Sequence, residues 1–127
     1  MIQLGTVYKA KYGLEHVYFV ISDPSKNRNQ VARVNMTSVR GYQDEDLTCI
    51  LEPGDHETVE HSSWIFYRRA SSVPLKHITD QQMRGEIEIM GSICSEDLLK
   101  RLQDGAFRSK VTPKDVKALL REQGFGV

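Results

Sequence analysis

The sequence contains little cysteine and no long hydrophobic run, and each shortage excludes a class of protein. Cys49 and Cys94 are the only cysteines in 127 residues, too few for the disulfide framework of a small secreted domain. We expect two buried, reduced thiols. The longest apolar run, residues 17–21, is far shorter than the roughly 20 residues of a membrane-spanning helix. The first residues, MIQLG, lack the basic and apolar segments of a secretory signal, so we predict a cytoplasmic protein that binds no membrane.

The formal net charge is zero, because 17 Lys and Arg balance 17 Asp and Glu. The balance argues against a strongly basic nucleic-acid-binding domain. It hides an asymmetry, since residues 1–60 carry six basic and nine acidic side chains and residues 61–127 carry eleven and eight. The second part can therefore hold a local anion site. Internal repeats and low-complexity segments are absent as well.

The turn-rich apolar pattern of the first 75 residues predicts a β-rich single domain. A chain of 127 residues is the size of one compact domain. Short apolar, β-branched segments separated by turn residues favour strands over helices. Without intervening helices, such strands form a small antiparallel, barrel-like sheet. The predicted strands lie near residues 7–10, 17–21, 31–38, 47–51 and 62–70.

Helix signals begin only after residue 75, so residues 76–127 are predicted to be mostly helical. Residues 79–82 have the form of a capping box, and Ser95 precedes leucines at helical spacing. Between them, alternation over residues 85–93 is compatible with a further strand. Thr112 followed by Pro113 predicts the start of a last helix, which Gly124 ends. The fold class is therefore α+β, mainly β with C-terminal helices.

The stretch PGDHETVEHSSWIFYRR, residues 53–69, concentrates side chains that can do chemistry. Asp55, His56 and His61 are metal-ligand types, but they lack the tight paired spacing of zinc sites, and no metal or other cofactor is predicted. Ser62 and Ser63 follow His61, yet adjacent residues of a strand point to opposite faces, which leaves a nucleophilic Ser–His pair unsupported. The alternative is a turn and strand whose polar face carries ordinary surface residues.

Cleavage of RNA without a metal suits these residues better. It needs a base for the 2′-hydroxyl, an acid for the leaving oxygen and a cation that faces the phosphorane. Histidine can supply the first two and arginine the third. Tyr67 and Trp64 could stack an unpaired base if their rings are open. The candidates for chemistry are His16, His56, His61, Arg68 and Arg69.

The order of several segments resembles the Kid/PemK/MazF toxins. The segments are GTVY at residues 5–8, HVYFVIS at 16–22 with Pro24, VNMTS at 34–38, and Ser63 leading into a strand with arginines. The resemblance covers about the first 75 residues in order. It implies an SH3-like barrel of about five to seven short strands. It further implies a homodimeric, metal-independent endoribonuclease of a toxin–antitoxin pair, which cuts single-stranded mRNA and is held inactive by an antitoxin.

The resemblance also assigns roles to residues of this chain. Thr37 would help to bind the substrate phosphate, and Arg68 or Arg69 would be the late catalytic arginine. Residues 15–16, Glu-His, stand where the family has its early arginine. The predicted catalytic residues are His16, Thr37, His61, Arg68 and Arg69, and the predicted substrate-binding residues are His56, Ser63 and Tyr67.

A second hypothesis is a non-catalytic interaction module of the same fold that binds a protein partner. Gyrase-poison toxins share this fold, and their chains end in an aromatic residue, a glycine and an aliphatic residue. Residues 125–127, Phe-Gly-Val, match that ending.

Overall fold

The computed structural model describes residues 1–11 and 16–126, and within them seven strands and three helices form. The strands are β1 (Val7–Ala10), β2 (Val17–Val20), β3 (Val31–Ser38), β4 (Ile50–Leu51), β5 (Ser63–Ile65), β6 (Ser71–Val73) and β7 (Ile87–Ile89). The helices are α1 (Leu75–Met83), α2 (Glu96–Arg108) and α3 (Lys114–Glu122). Within these described residues, no helix is long and apolar enough to cross a membrane.

All strands belong to one antiparallel sheet in the order β4-β5-β3-β2-β1-β7, with β6 paired to β3. Strand β3 is the longest, and two strands share one of its edges. Its residues 36–38 pair with β5, and its residues 31–33 pair with β6. The predicted α+β class, a small barrel-like antiparallel sheet followed by helices, is confirmed.

The two faces of the sheet bury two separate clusters. On one face, Val7, Phe19 and Val34 are register partners across three strands and pack with Leu102 and Leu120 of the last two helices. Side chains of the opposite face pack around α1. That smaller cluster contains Ile2, Tyr8, Val20, Val31, Ile78 and Ile87. In the larger cluster, α2 and α3 supply six of the 19 buried residues.

Helix α2 lies close to the sheet because Gly105 has no side chain. Its N-terminus is capped as predicted, since the Ser95 hydroxyl accepts a hydrogen bond from the Leu98 N–H (3.1 Å). Near its end, a Cβ on Gly105 would overlap the Tyr67 hydroxyl. That hydroxyl donates to the Leu102 carbonyl (2.8 Å), so Tyr67 joins the segment between β5 and β6 to α2 from within the core.

The strand predicted over residues 62–70 is wrong in its second half. Strand β5 ends at Ile65, and a 3-10 turn follows over Tyr67–Arg69 before β6 begins. The physical reason is the register on β3, because residues 66–70 stand opposite only residues 34 and 35 of that strand, and the extra residues must leave the sheet. The alternation of faces therefore does not extend to the two arginines.

Two predicted helix starts are also corrected. Helix α1 begins at Leu75, directly after Pro74, so Thr79 lies inside the helix and its hydroxyl donates to the Lys76 carbonyl (3.1 Å). Helix α3 is capped at Pro113, without a side-chain cap. The predicted strand within residues 85–93 is confirmed as β7. The helix stop at Gly124 is confirmed too, since this glycine has a φ of 89°.

Both cysteines are buried and unpaired, as predicted. Burial raises the pKa of the Cys49 thiol, and it raises the pKa of Cys94 to about 12. Because the thiolate is the reactive form of cysteine, both side chains act as small core residues.

An ion pair fixes the turn after β4 against α2. Arg101 donates to the Asp55 carboxylate (2.8 and 3.3 Å) and to the Ile50 carbonyl (2.9 Å). These hydrogen bonds hold the pKa of Asp55 below its ordinary value, although burial acts to raise it. The Arg101 side chain is 37% exposed, so solvent screens part of the interaction.

We expect Asp55→Asn to lower the free energy of unfolding at pH 7 by about 1 kcal/mol. The stabilisation by ionised Asp55 is complete above its unfolded pKa of about 3.9 and is lost as the pH falls through the lower folded pKa. Urea unfolding at pH 7 and about pH 2 measures this, and wild type and variant should converge in acid. The control is Asp104→Asn, a half-buried carboxylate on α2 that pairs with Lys100. An equal loss in both variants would contradict a specific role of Asp55.

Candidate functional site

A groove of about 590 Å³ opens at one end of the sheet, where several strands end together. Lys9, Val17 and Met36 line it and are register partners across β1, β2 and β3. Ser38 and Ser63 line it from the paired ends of β3 and β5. The other lining residues are His16, Thr37, Arg40, Glu57, Thr58, Glu60, His61 and Met90. The register of the sheet, rather than one loop, therefore assembles the site.

A serine–histidine pair lies in this groove. Ser38 Oγ and His61 Nε2 are 2.5 Å apart, within hydrogen-bonding distance. The Ser63 hydroxyl donates to the His61 carbonyl (2.9 Å) and fixes the backbone of the same residue. His61 is exposed, whereas Ser63 is 4% exposed. The strand ends thus hold an accessible imidazole in a defined place.

The groove carries two cations that the sequence did not indicate. Lys9 is half-buried on β1, and Arg40 is exposed just beyond β3. Two carboxylates, Glu57 and Glu60, share the groove. Arg40 lies two residues after Ser38 and three after the predicted site residue Thr37. This closeness in the sequence was the one signal that could have indicated Arg40. Lys9 had no signal, because its place depends on pairing between strands.

Four of the eight predicted site residues meet in the groove. His16, Thr37 and His61 were predicted to be catalytic, and Ser63 to bind substrate. They come from three separate parts of the chain, and the antiparallel pairing of β3 with β2 and β5 brings them together.

The two predicted arginines lie outside the groove, because they belong to the 3-10 turn rather than to a strand. The Arg69 guanidinium lies over the Phe66 ring, 5.1 Å from its centroid. Arg68 lines a second cavity. The prediction that Arg68 or Arg69 is a catalytic residue beside Thr37 is therefore corrected.

Tyr67 and His56 are also structural rather than substrate-facing. The Tyr67 ring is completely buried, which leaves no open face for a base. His56 Nε2 donates to the Ser92 carbonyl (2.8 Å), and its Nδ1 accepts from the Thr58 N–H (3.2 Å). Both ring nitrogens of His56 are hydrogen-bonded within the domain, so this side chain has a structural role.

The three side chains of metal-ligand type within residues 53–69 have different partners. Asp55 binds Arg101, His56 binds Ser92, and His61 binds Ser38. Over residues 1–11 and 16–126, no group of three or more His, Cys, Asp and Glu is placed to hold a metal ion.

The C-terminal segment compared with gyrase poisons is packed on the domain. Phe125 is half-buried against the main core, and its N–H donates to the Leu120 carbonyl (2.9 Å). The last residue of that match, Val127, lies outside the described residues, as does Glu15 beside His16.

Comparison of the chain with models of known protein families, with curated proteins and with solved structures found no match.

Proposed function

We propose that the protein is a metal-independent endoribonuclease that cleaves single-stranded RNA in this groove. The observation that carries the proposal is the presence of two histidines and two cations in one groove with Thr37. Two imidazoles can remove and donate protons near neutral pH. Lysine and arginine can face a phosphate at the same time.

The reaction is a displacement at phosphorus by the neighbouring 2′-hydroxyl. One histidine takes the proton of that hydroxyl as its oxygen bonds to phosphorus, and the other gives a proton to the 5′-oxygen as the P–O bond breaks. The products are a 2′,3′-cyclic phosphate and a 5′-hydroxyl, so no water enters this step. His16 and His61 share these two roles.

Ser38 and the cations complete the site. A hydroxyl at hydrogen-bonding distance from His61 Nε2 holds the imidazole toward the groove. Lys9 and Arg40 supply the positive charge that the phosphorane needs. They replace Arg68 and Arg69 in the role that the sequence had suggested.

We further propose that the enzyme is a homodimer that acts on mRNA in the cytoplasm and that an antitoxin protein keeps it inactive. The segment order that resembles the Kid/PemK/MazF toxins supports this.

We expect the purified protein to cut long single-stranded RNA in the presence of EDTA. Cleavage should leave 2′,3′-cyclic phosphate ends, which end-group analysis of the fragments detects. Single-stranded DNA of the same sequence should stay intact, because it has no 2′-hydroxyl. Intact RNA across many sequences would overturn the proposal, and protein binding without RNA cleavage would favour the interaction module.

A further inference from the structure

A second cavity, here called the Trp64 cavity, lies on the far side of β5 from the groove. Its volume is about 350 Å³, within the size range of pockets for small organic groups. Ser63 lines the groove and the next residue, Trp64, lines this cavity. The lining residues are Asp44, Asp46, Thr48, Trp64, Phe66, Arg68, Arg108, Ser109, Lys110 and Val111.

The Trp64 cavity combines aromatic rings with positive charge. The rings of Trp64 and Phe66 have centroids 4.7 Å apart; Phe66 is half-buried, whereas Trp64 is 6% exposed. Arg68, Arg108 and Lys110 are all exposed cations of its lining. Three cations against the two carboxylates of the lining leave an excess of positive charge. Rings beside cations are the combination with which proteins bind single-stranded nucleic acid.

The cavity is pre-formed by a hydrogen-bond network around Asp46. Its carboxylate accepts from the Thr48 N–H (3.0 Å) and from the Ser109 hydroxyl (2.7 Å). Burial raises the pKa of Asp46, but these hydrogen bonds and the charge of Arg68 lower it by more. Asp46 is therefore ionised at neutral pH, and it fixes the loop before β4 to the end of α2.

We propose that the Trp64 cavity binds one nucleotide unit of the single-stranded RNA that lies in the groove. The base contacts Phe66, whose ring packs against the buried Trp64, and the phosphate contacts Arg68 and Lys110. This inference rests on the proposed function. The link between the two sites is β5, since its consecutive residues Ser63 and Trp64 line the groove and the cavity, and an RNA strand bound to both would pass over the start of β5.

The chain offers a direct probe, since Trp64 is its only tryptophan. Titration with a 2′-O-methylated oligonucleotide, which cannot be cleaved, should change the Trp64 fluorescence and saturate. The double variant Arg68→Ala/Lys110→Ala should weaken this binding roughly 10-fold. The matched control is Arg28→Ala/Lys114→Ala, which removes the same charge at exposed positions outside the cavity. It should bind nearly as tightly as wild type.

The outcomes separate this inference from the proposed function. RNA cleavage without a fluorescence change would overturn the cavity and leave the enzyme. A saturable change in a protein that cuts no RNA would support the cavity and overturn the enzyme. Equal weakening in both double variants would mean general charge attraction and overturn the site. Saturation by a free mononucleotide at the same concentrations would overturn its assignment to an RNA strand.

Discussion

Replacing His61 by alanine is expected to reduce RNA cleavage by about 100-fold or more, the usual contribution of a general acid or base. The reason is its position, since His61 is exposed in the groove and held there by Ser38. Rates of cleavage of a fluorogenic oligonucleotide under single-turnover conditions measure the loss. Ser38→Ala should have a smaller effect, about 10-fold, because it removes only the group that positions the imidazole.

His77→Ala is the matched control for this experiment. His77 is exposed on α1 and is outside the groove lining, so its replacement should leave the rate within a factor of two or so. Thermal unfolding of each variant separates loss of chemistry from loss of fold. Cleavage by a well-folded His61→Ala at the wild-type rate would refute the assignment of this residue.

Gly105→Ala is expected to destabilise the protein by roughly 2 kcal/mol, the opposite of the usual effect in a helix. Alanine is favoured over glycine by about 1 kcal/mol at an exposed helix position. Here the added Cβ would overlap the Tyr67 hydroxyl and contact Cys49 Cβ at 3.1 Å. Overpacking of this kind costs about 1–3 kcal/mol in a filled core. Urea denaturation gives the free energy of unfolding.

Two further variants test the cause. Gly91→Ala adds a Cβ with no described atom within 4 Å, so it should be nearly neutral. Tyr67→Phe removes the hydroxyl that overlaps, and the double variant Gly105→Ala/Tyr67→Phe should be more stable than the sum of the two single changes predicts. Strict additivity would show that the hydroxyl is not the obstacle.

The sequence predicted best those elements whose signals are local. Strand β3 was predicted over the residues it occupies, and the cap at Ser95 was found because the pattern of a helix start lies within a few residues. The turn at Tyr67–Arg69 was missed, because β5 and β6 pair with different parts of β3. That pairing joins residues far apart in the sequence, and the alternating pattern of residues 62–70 does not indicate it.

The site residues show the same contrast between local signals and long-range pairing. His61 and Thr37 were identified by residue type and by the resemblance, and they lie in one groove. Arg68 was placed there by extending a strand that ends at Ile65 as far as residue 70, whereas Lys9 supplies a cation from a strand 50 residues or more earlier in the chain. Residue type thus indicated the chemistry, and strand pairing decided which residues take part.

The order of the groove residues and the core helices along the chain has a consequence for synthesis. Every residue of the groove lies between Lys9 and Met90, but α2 and α3, which cover the main core, occupy residues 96–108 and 114–122. A growing chain on the ribosome therefore contains the whole groove before it can bury Phe19 and Val34. The core can therefore form only after α2 and α3 have been synthesised. A chain cut short near residue 95 would contain all the groove residues but would leave the apolar face of its sheet uncovered.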